Sequence, residues 1–158
     1  MYDGFFALSG EDIWKAAKYG DFELVRLLWQ RDRFKKNIDI EKDGYTALYV
    51  AVMHNQLEIA KFLLKKGANP NVKVEGIPML FVALEKGFDD VAICLLQNGA
   101  DMNEFVCLEK EDTEDLTPLG KAVYCKRTTV VKYLLDNGVS PNQPKAGIFS
   151  SPLEMVIC

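Results

Sequence analysis

At 158 residues, the chain has the length of one folded domain. Hydrophobic side chains make up 49% of it and charged ones 27%, a balance that argues against disorder. The 19 basic and 23 acidic groups leave a net charge of −4, which speaks against a dedicated nucleic-acid binder while leaving local basic patches open. The opening MYDGFFALSGED lacks a basic leader ahead of an apolar core, so no secretory signal is expected. The longest apolar run, MLFVAL at 79–84, is far too short for a bilayer, and no membrane insertion is expected. An intracellular, reducing compartment follows as the default, cytoplasmic first with the nucleus left open. Cys94, Cys107, Cys125 and Cys158 show no CxxC spacing. Cys94 and Cys125 fall in predicted helices, as core or near-core thiols rather than disulfide partners.

In chain order, the first predicted helix starts after Ser9, which with Asp12 makes an acidic variant of a capping box. The stretch EDIWKAAKYGDFELVRLL then carries two apolar helical periods. A basic connection, RDRFKKNIDIEK (31–42), leads to DGYTALYVAVMHNQLEIAKFLLKKGANPN (43–71). Here Thr46 is the predicted cap and two short helices follow. In the next unit Pro78 stands where a capping hydroxyl is expected, predicting a helix that starts without a side-chain cap and is less firmly held. Asp89 and Asp90 open its second helix, where their charge suits the helix dipole. An acidic connection, EFVCLEKEDTED (104–115), precedes Thr117-Pro118, a cap followed by proline at the first helical position. The chain closes on SSPLEMVIC, which spells only the start of another first helix.

The unit recurs. Ile13, Leu48, Leu80, Leu119 and Leu153 follow one another at 35, 32, 39 and 34 residues. Gly67, Gly99 and Gly138, predicted left-handed caps, stand 32 and 39 apart. Such a period predicts a solenoid of helix, tight turn, helix, glycine-closed end and extended connection. Ala51, Ala83 and Ala122 would let neighbouring backbones approach closely. The approximate units are 9–40, 41–73, 74–112, 113–147 and 148–158, the last expected to be a truncated fifth repeat, with an unusually short cap as the alternative, because an apolar end face needs covering.

These units resemble ankyrin repeats. The family pattern G-x-T-P-L-H-x-A-A, G-H-x-E-V-V-x-L-L-L and G-A-D-x-N is matched nearly throughout by 43–71, and well by GFDDVAICLLQNGADMN and LTPLGKAVYCKRTTVVKYLLDNGVSPN. The resemblance runs from about Glu11 to Cys158 and implies an all-α solenoid with hairpin-like connecting loops. The family's histidine is replaced by Trp14, Tyr49, Phe81 and Gly120. Two readings stand for these rings: filler for the junction between helix and hairpin, or an aromatic stripe along the concave groove. Lys126 replaces the usual glycine between the helices of the fourth unit, predicting a differently shaped turn.

The resemblance also implies a non-enzymatic module that takes a protein or peptide through hairpin tips and concave face, with no cofactor and no metal. The tip positions are Lys42, Asp43, Tyr45, Lys73, Glu75, Ile77, Glu114 and Leu116. The ends of the first helices add Lys18, Tyr19, Met53, His54, Glu85, Lys86, Tyr124 and Cys125. Tyr45, Ile77 and Leu116 share one recurring slot, either as partner anchors or as ordinary isolated surface hydrophobics. The acidic connection is equally readable as a receiver of basic peptides and as a solvated loop.

Chemistry is not expected. His54 is the single histidine, Cys107 sits two connections along the stack from it, and the cysteine gaps match no zinc pattern. Glycines occur once per unit rather than clustered as a phosphate loop. Two alternatives to a free-standing interaction module remain at this level: the regulatory or substrate-recruiting arm of a larger enzyme, and a structural spacer. Oligomeric state is not legible.

Overall fold

The computed structural model describes residues 12–30, 37–104, 106 and 117–141. Ser9 and its predicted cap, Cys107, Cys158, Glu114, Leu116 and the closing unit lie outside the described residues.

Among the described residues four helix pairs follow one another, with one hairpin between the first and second pairs and another between the second and third. The pairs are α1 (Asp12–Tyr19) with α2 (Phe22–Trp29), α3 (Ala47–Met53) with α4 (Leu57–Lys65), α5 (Met79–Lys86) with α6 (Asp89–Gln97), and α7 (Pro118–Tyr124) with α8 (Thr128–Asp136). First helices pack on first helices and second on second along the stack, so the expected all-α solenoid is the fold. The extended connections are sharper than the sequence suggests. Strand β1 (Glu41–Lys42) pairs antiparallel with β2 (Tyr45–Thr46), and β3 (Lys73–Val74) with β4 (Ile77–Pro78). Asp43-Gly44 and Glu75-Gly76 turn these hairpins with positive φ at both residues, the mirror-image turn that suits strand twist.

The turn inside each helix pair is built the same way four times. Gly20, Asn55, Gly87 and Lys126 all have positive φ. The amide after each donates to the carbonyl of Ala16, Ala51, Ala83 or Ala122 at 2.8–2.9 Å. The expectation that Lys126 reshapes its turn is therefore corrected: its φ of 58° is that of Asn55 at 57°. A side chain there carries a left-handed penalty of about 1–2 kcal/mol, which the surrounding stack absorbs. The expected glycine ends also form. Beyond Gly67, Gly99 and Gly138, the amides of Ala68, Ala100 and Val139 reach back to Leu63, Leu95 and Leu134.

Helix starts follow the caps. Thr46 Oγ1 accepts from the Tyr49 amide, and Thr117 Oγ1 from the Gly120 amide, both at 3.1 Å. Pro78 gives α5 no side-chain cap, as its chemistry requires. Instead the Met79 amide donates to the Val72 carbonyl at 3.2 Å, so the hairpin satisfies one donor of that helix. Replacing the buried Thr46 with alanine is expected to lower stability by about 1 kcal/mol, read as a lower urea midpoint at unchanged slope.

The core is a ladder of equivalent positions. Leu28, Leu63, Leu95 and Leu134 are fully buried, each contributed by a second helix. Ala51, Ala83 and Ala122 are fully buried opposite them, and the absence of larger side chains there permits close stacking. Polar rungs add register at the glycine ends. The Asp39 carboxylate accepts from the Asn69 amide at 3.1 Å, and Asn71 Oδ1 accepts from the Asp101 amide at 2.9 Å. Asn71 Nδ2 donates to the Gly99 carbonyl at 3.0 Å. Cys94 is buried in α6 and Cys125 half-buried at the end of α7, and both are free thiols.

Candidate functional site

Second helices give their apolar faces to the stack, which leaves the first helices and hairpins to form the other surface. Between the first two units these elements enclose an open cleft of about 350 Å³. Trp14, Lys15 and Lys18 of α1 form one wall, and Tyr49, Val50, Met53 and His54 of α3 the other. The β1–β2 hairpin closes one end with Lys42, Asp43 and Tyr45. Trp14 fixes that end, since its Nε1–H donates to the Tyr45 carbonyl at 2.8 Å. The Tyr45 and Tyr49 rings lie 5.5 Å apart, tilted by 31°.

The structure thus brings together eight of the residues singled out in the sequence: Trp14, Lys18, Lys42, Asp43, Tyr45, Tyr49, Met53 and His54. Ile77 and Lys73 lie on the next hairpin, Ile77 half-buried and Lys73 paired with Glu104. Glu85 pairs with the largely buried Lys121 at 3.1 Å, while Lys86 is exposed. Tyr19 and Tyr124, 75% and 77% exposed, stand at the ends of the first and fourth first-helices. Phe81 is buried and belongs to the junction. Trp14 and Tyr49 serve both purposes, being buried in the junction yet presenting an edge to the cleft. Lys15 and Val50 were not singled out from sequence. Lys15 lies three residues before Lys18, so the helical period carries the signal that unites them.

The cleft is cationic. Three ammonium groups, on Lys15, Lys18 and Lys42, line it against the one carboxylate of Asp43. Desolvation, followed by the charges of Lys18 and Lys86, holds the His54 imidazole below its ordinary pKa. Burial raises the Tyr49 hydroxyl, with Tyr45 and Glu75 adding to the effect, so it remains a neutral donor. Burial likewise raises the Cys94 thiol. Among the described residues no group of three or more His, Cys, Asp or Glu side chains is placed to hold a metal ion. Among them, too, no helix is long and apolar enough to cross a membrane.

A second cleft, of about 490 Å³, lies on the last described helix pair between Val123, Arg127, Val131 and Leu135. Its open surface is predominantly apolar, with Lys126, Lys132 and Asp136 also in the lining.

Comparison with known proteins bears on the whole chain. The family model for ankyrin repeats, in three copies, matches residues 13–74 and 72–145. A putative ankyrin repeat protein of Rickettsia bellii is 31% identical over 153 residues, covering 85% of this chain and 42% of that protein. Alpha-latrocrustotoxin-Lt1a of Latrodectus tredecimguttatus is 34% identical over 107 residues, 67% of this chain and 7% of the toxin. The palmitoyltransferase akr1 of Emericella nidulans is 34% identical over 64 residues, 40% of this chain and 8% of that enzyme. The chain therefore spans less than half the length of these relatives. Ankyrin repeats are non-catalytic scaffolds whose concave groove typically mediates protein–protein interaction. With its matched repeats, and with the stacked helix pairs and two hairpins of its described residues, the chain belongs to the ankyrin-repeat family.

Proposed function

We propose that this chain is an interaction module that holds a protein or peptide partner across its hairpin tips and the inner faces of its first helices. The observation that carries this reading is the cleft between the first two units, where half-buried Val50 and Met53 and the edges of Trp14 and Tyr49 lie beside the Tyr45 fingertip. Rigid helices hold the cleft in place, so docking loses little conformational entropy. Tyr45, 37% exposed, offers a ring for anchoring, and Met53 an adaptable thioether beside it. Nucleic acid and membrane are not part of this reading.

The test is peptide selection against the chain, followed by mapping of the bound peptide through amide chemical shifts. Signals of Tyr45, Tyr49, Met53 and His54 are expected to move, while those of α4 and α6 stay still. Tyr45→Ala with Ile77→Ala should leave the far-ultraviolet circular dichroism unchanged and weaken capture by about tenfold. Perturbations confined to the second helices would overturn the proposal.

A second reading is favoured by the match to part of a palmitoyltransferase. In it the chain is a regulatory or substrate-recruiting arm within a larger enzyme. The cleft then serves the same docking role, with the captured segment delivered to a catalytic domain elsewhere in the same polypeptide.

A further inference from the structure

We infer that the cleft between the first two units takes an acidic, extended peptide segment carrying an apolar or aromatic side chain. The inference rests on the groove reading above and specifies the chemistry of its ligand. The chain as a whole is acidic, at −4, yet this cleft carries an excess of positive charge. Lys15 and Lys18 are exposed, and among the described residues no carboxylate forms an ion pair with either. By contrast, Lys121, five residues before its turn as Lys15 is before Gly20, is neutralised by Glu85. Lys15 and Lys18 thus hold uncompensated positive charge at the first unit, with the exposed Lys86 further along the groove.

The floor of the cleft is largely apolar. Between the lysines lie Tyr45, Tyr49, Val50 and Met53, a surface suited to an apolar side chain rather than to a chain of phosphates. A nucleic-acid site would favour arginine forks and a longer basic track, and this cleft has neither. An extended peptide matches both features: carboxylates meet Lys15 and Lys18 while one side chain enters between Tyr45 and Met53. The charges steer the encounter and fix orientation, and the apolar contact holds the complex. His54 stands at the edge, next to Lys18 and Lys86, and senses any negative charge brought into the cleft.

The full chain should be titrated with a fluorescein-labelled glutamate-rich peptide containing a central Leu-Phe, and with its glutamine counterpart. The glutamate peptide is expected to bind about tenfold or more tighter, with affinity falling as salt is added. Lys15→Glu with Lys18→Glu should abolish that preference while circular dichroism and thermal midpoint match the parent, because both side chains are exposed. Since the chain has one histidine, its C2-proton signal reports on this cleft alone. Its titration midpoint should rise with the glutamate peptide and stay put with the glutamine one. Equal affinity for both peptides at Tyr45 and Met53 overturns the acidic specificity and leaves the groove reading standing. Binding of the glutamate peptide without perturbing Met53 or His54 overturns the groove reading itself. No binding of the glutamate peptide, tighter binding of an oligouridylate, or self-association abolished by the lysine reversals would each overturn the inference.

Discussion

Leu95→Ala is expected to lower the free energy of unfolding by about 2–5 kcal/mol, whereas Leu135→Ala should change it by less than about 1 kcal/mol. The two leucines come from the same double-leucine spelling at the end of a second helix. Leu95 is 0% exposed and belongs to the ladder with Leu28, Leu63 and Leu134. It packs from α6, which has α4 on one side and α8 on the other, so truncation leaves a cavity in the middle of the stack. Leu135 is 43% exposed on the face of the last described pair, where truncation removes few contacts. Urea titrations followed by circular dichroism would measure both. A change of a few kilocalories per mole is a large fraction of a small domain's stability, so Leu95→Ala should also expose the stack's cooperativity. If the flanking units survive separately, the transition broadens, because repeat proteins are stabilised mainly by nearest-neighbour contacts. Equal effects from the two leucines would contradict the ladder.

Leu95 is the first leucine of its pair and Leu135 the second of its own, four and three residues before their glycines, so this difference was legible in the sequence. The spacing of Leu63, Leu95 and Leu134 from their glycine ends identifies the buried position, because the cap fixes helix phase. Thr46 and Thr117 were legible as caps for the same local reason. Lys126 misleads because the turn's geometry is imposed by the stacked helices, which outweigh one residue's conformational preference. The site was legible only in part. Tyr45, Met53 and His54 could be named from repeat position, but their union with Lys15 and Val50 depends on how α1 and α3 face each other. Phe81 shows the converse. It occupies the same repeat slot as Tyr49 and is about as deeply buried, at 3% against 5% exposed, yet it lines neither of the two clefts described above. A slot in a repeat fixes direction along the helix, while the neighbouring unit decides whether that direction leads to solvent.

Trp14 joins stability to recognition, and its replacement should separate the two. Trp14→Ala removes a buried indole and is expected to cost about 3–5 kcal/mol. Trp14→Phe keeps most of the ring's burial but loses the 2.8 Å hydrogen bond to the Tyr45 carbonyl, with an expected loss of about 0.5–1.5 kcal/mol. That bond spans 31 residues and ties α1 to the hairpin that carries the Tyr45 ring. In Trp14→Phe the amide signals of β1 and β2 should therefore shift and exchange faster, while those of β3 and β4 remain as in the parent. Peptide affinity should fall with the loosened fingertip even though circular dichroism is preserved. The remaining tryptophan, Trp29, stays as a fluorescence reporter of unfolding, since the chain has two. Its cation–π contact with Lys66, at 4.1 Å from the ring centroid, lies on the second-helix side and is independent of the cleft. Parent-like hairpin signals in Trp14→Phe would mean that the strand pairing alone positions Tyr45. A loss below about 1 kcal/mol in Trp14→Ala would remove the indole from the core of the first unit.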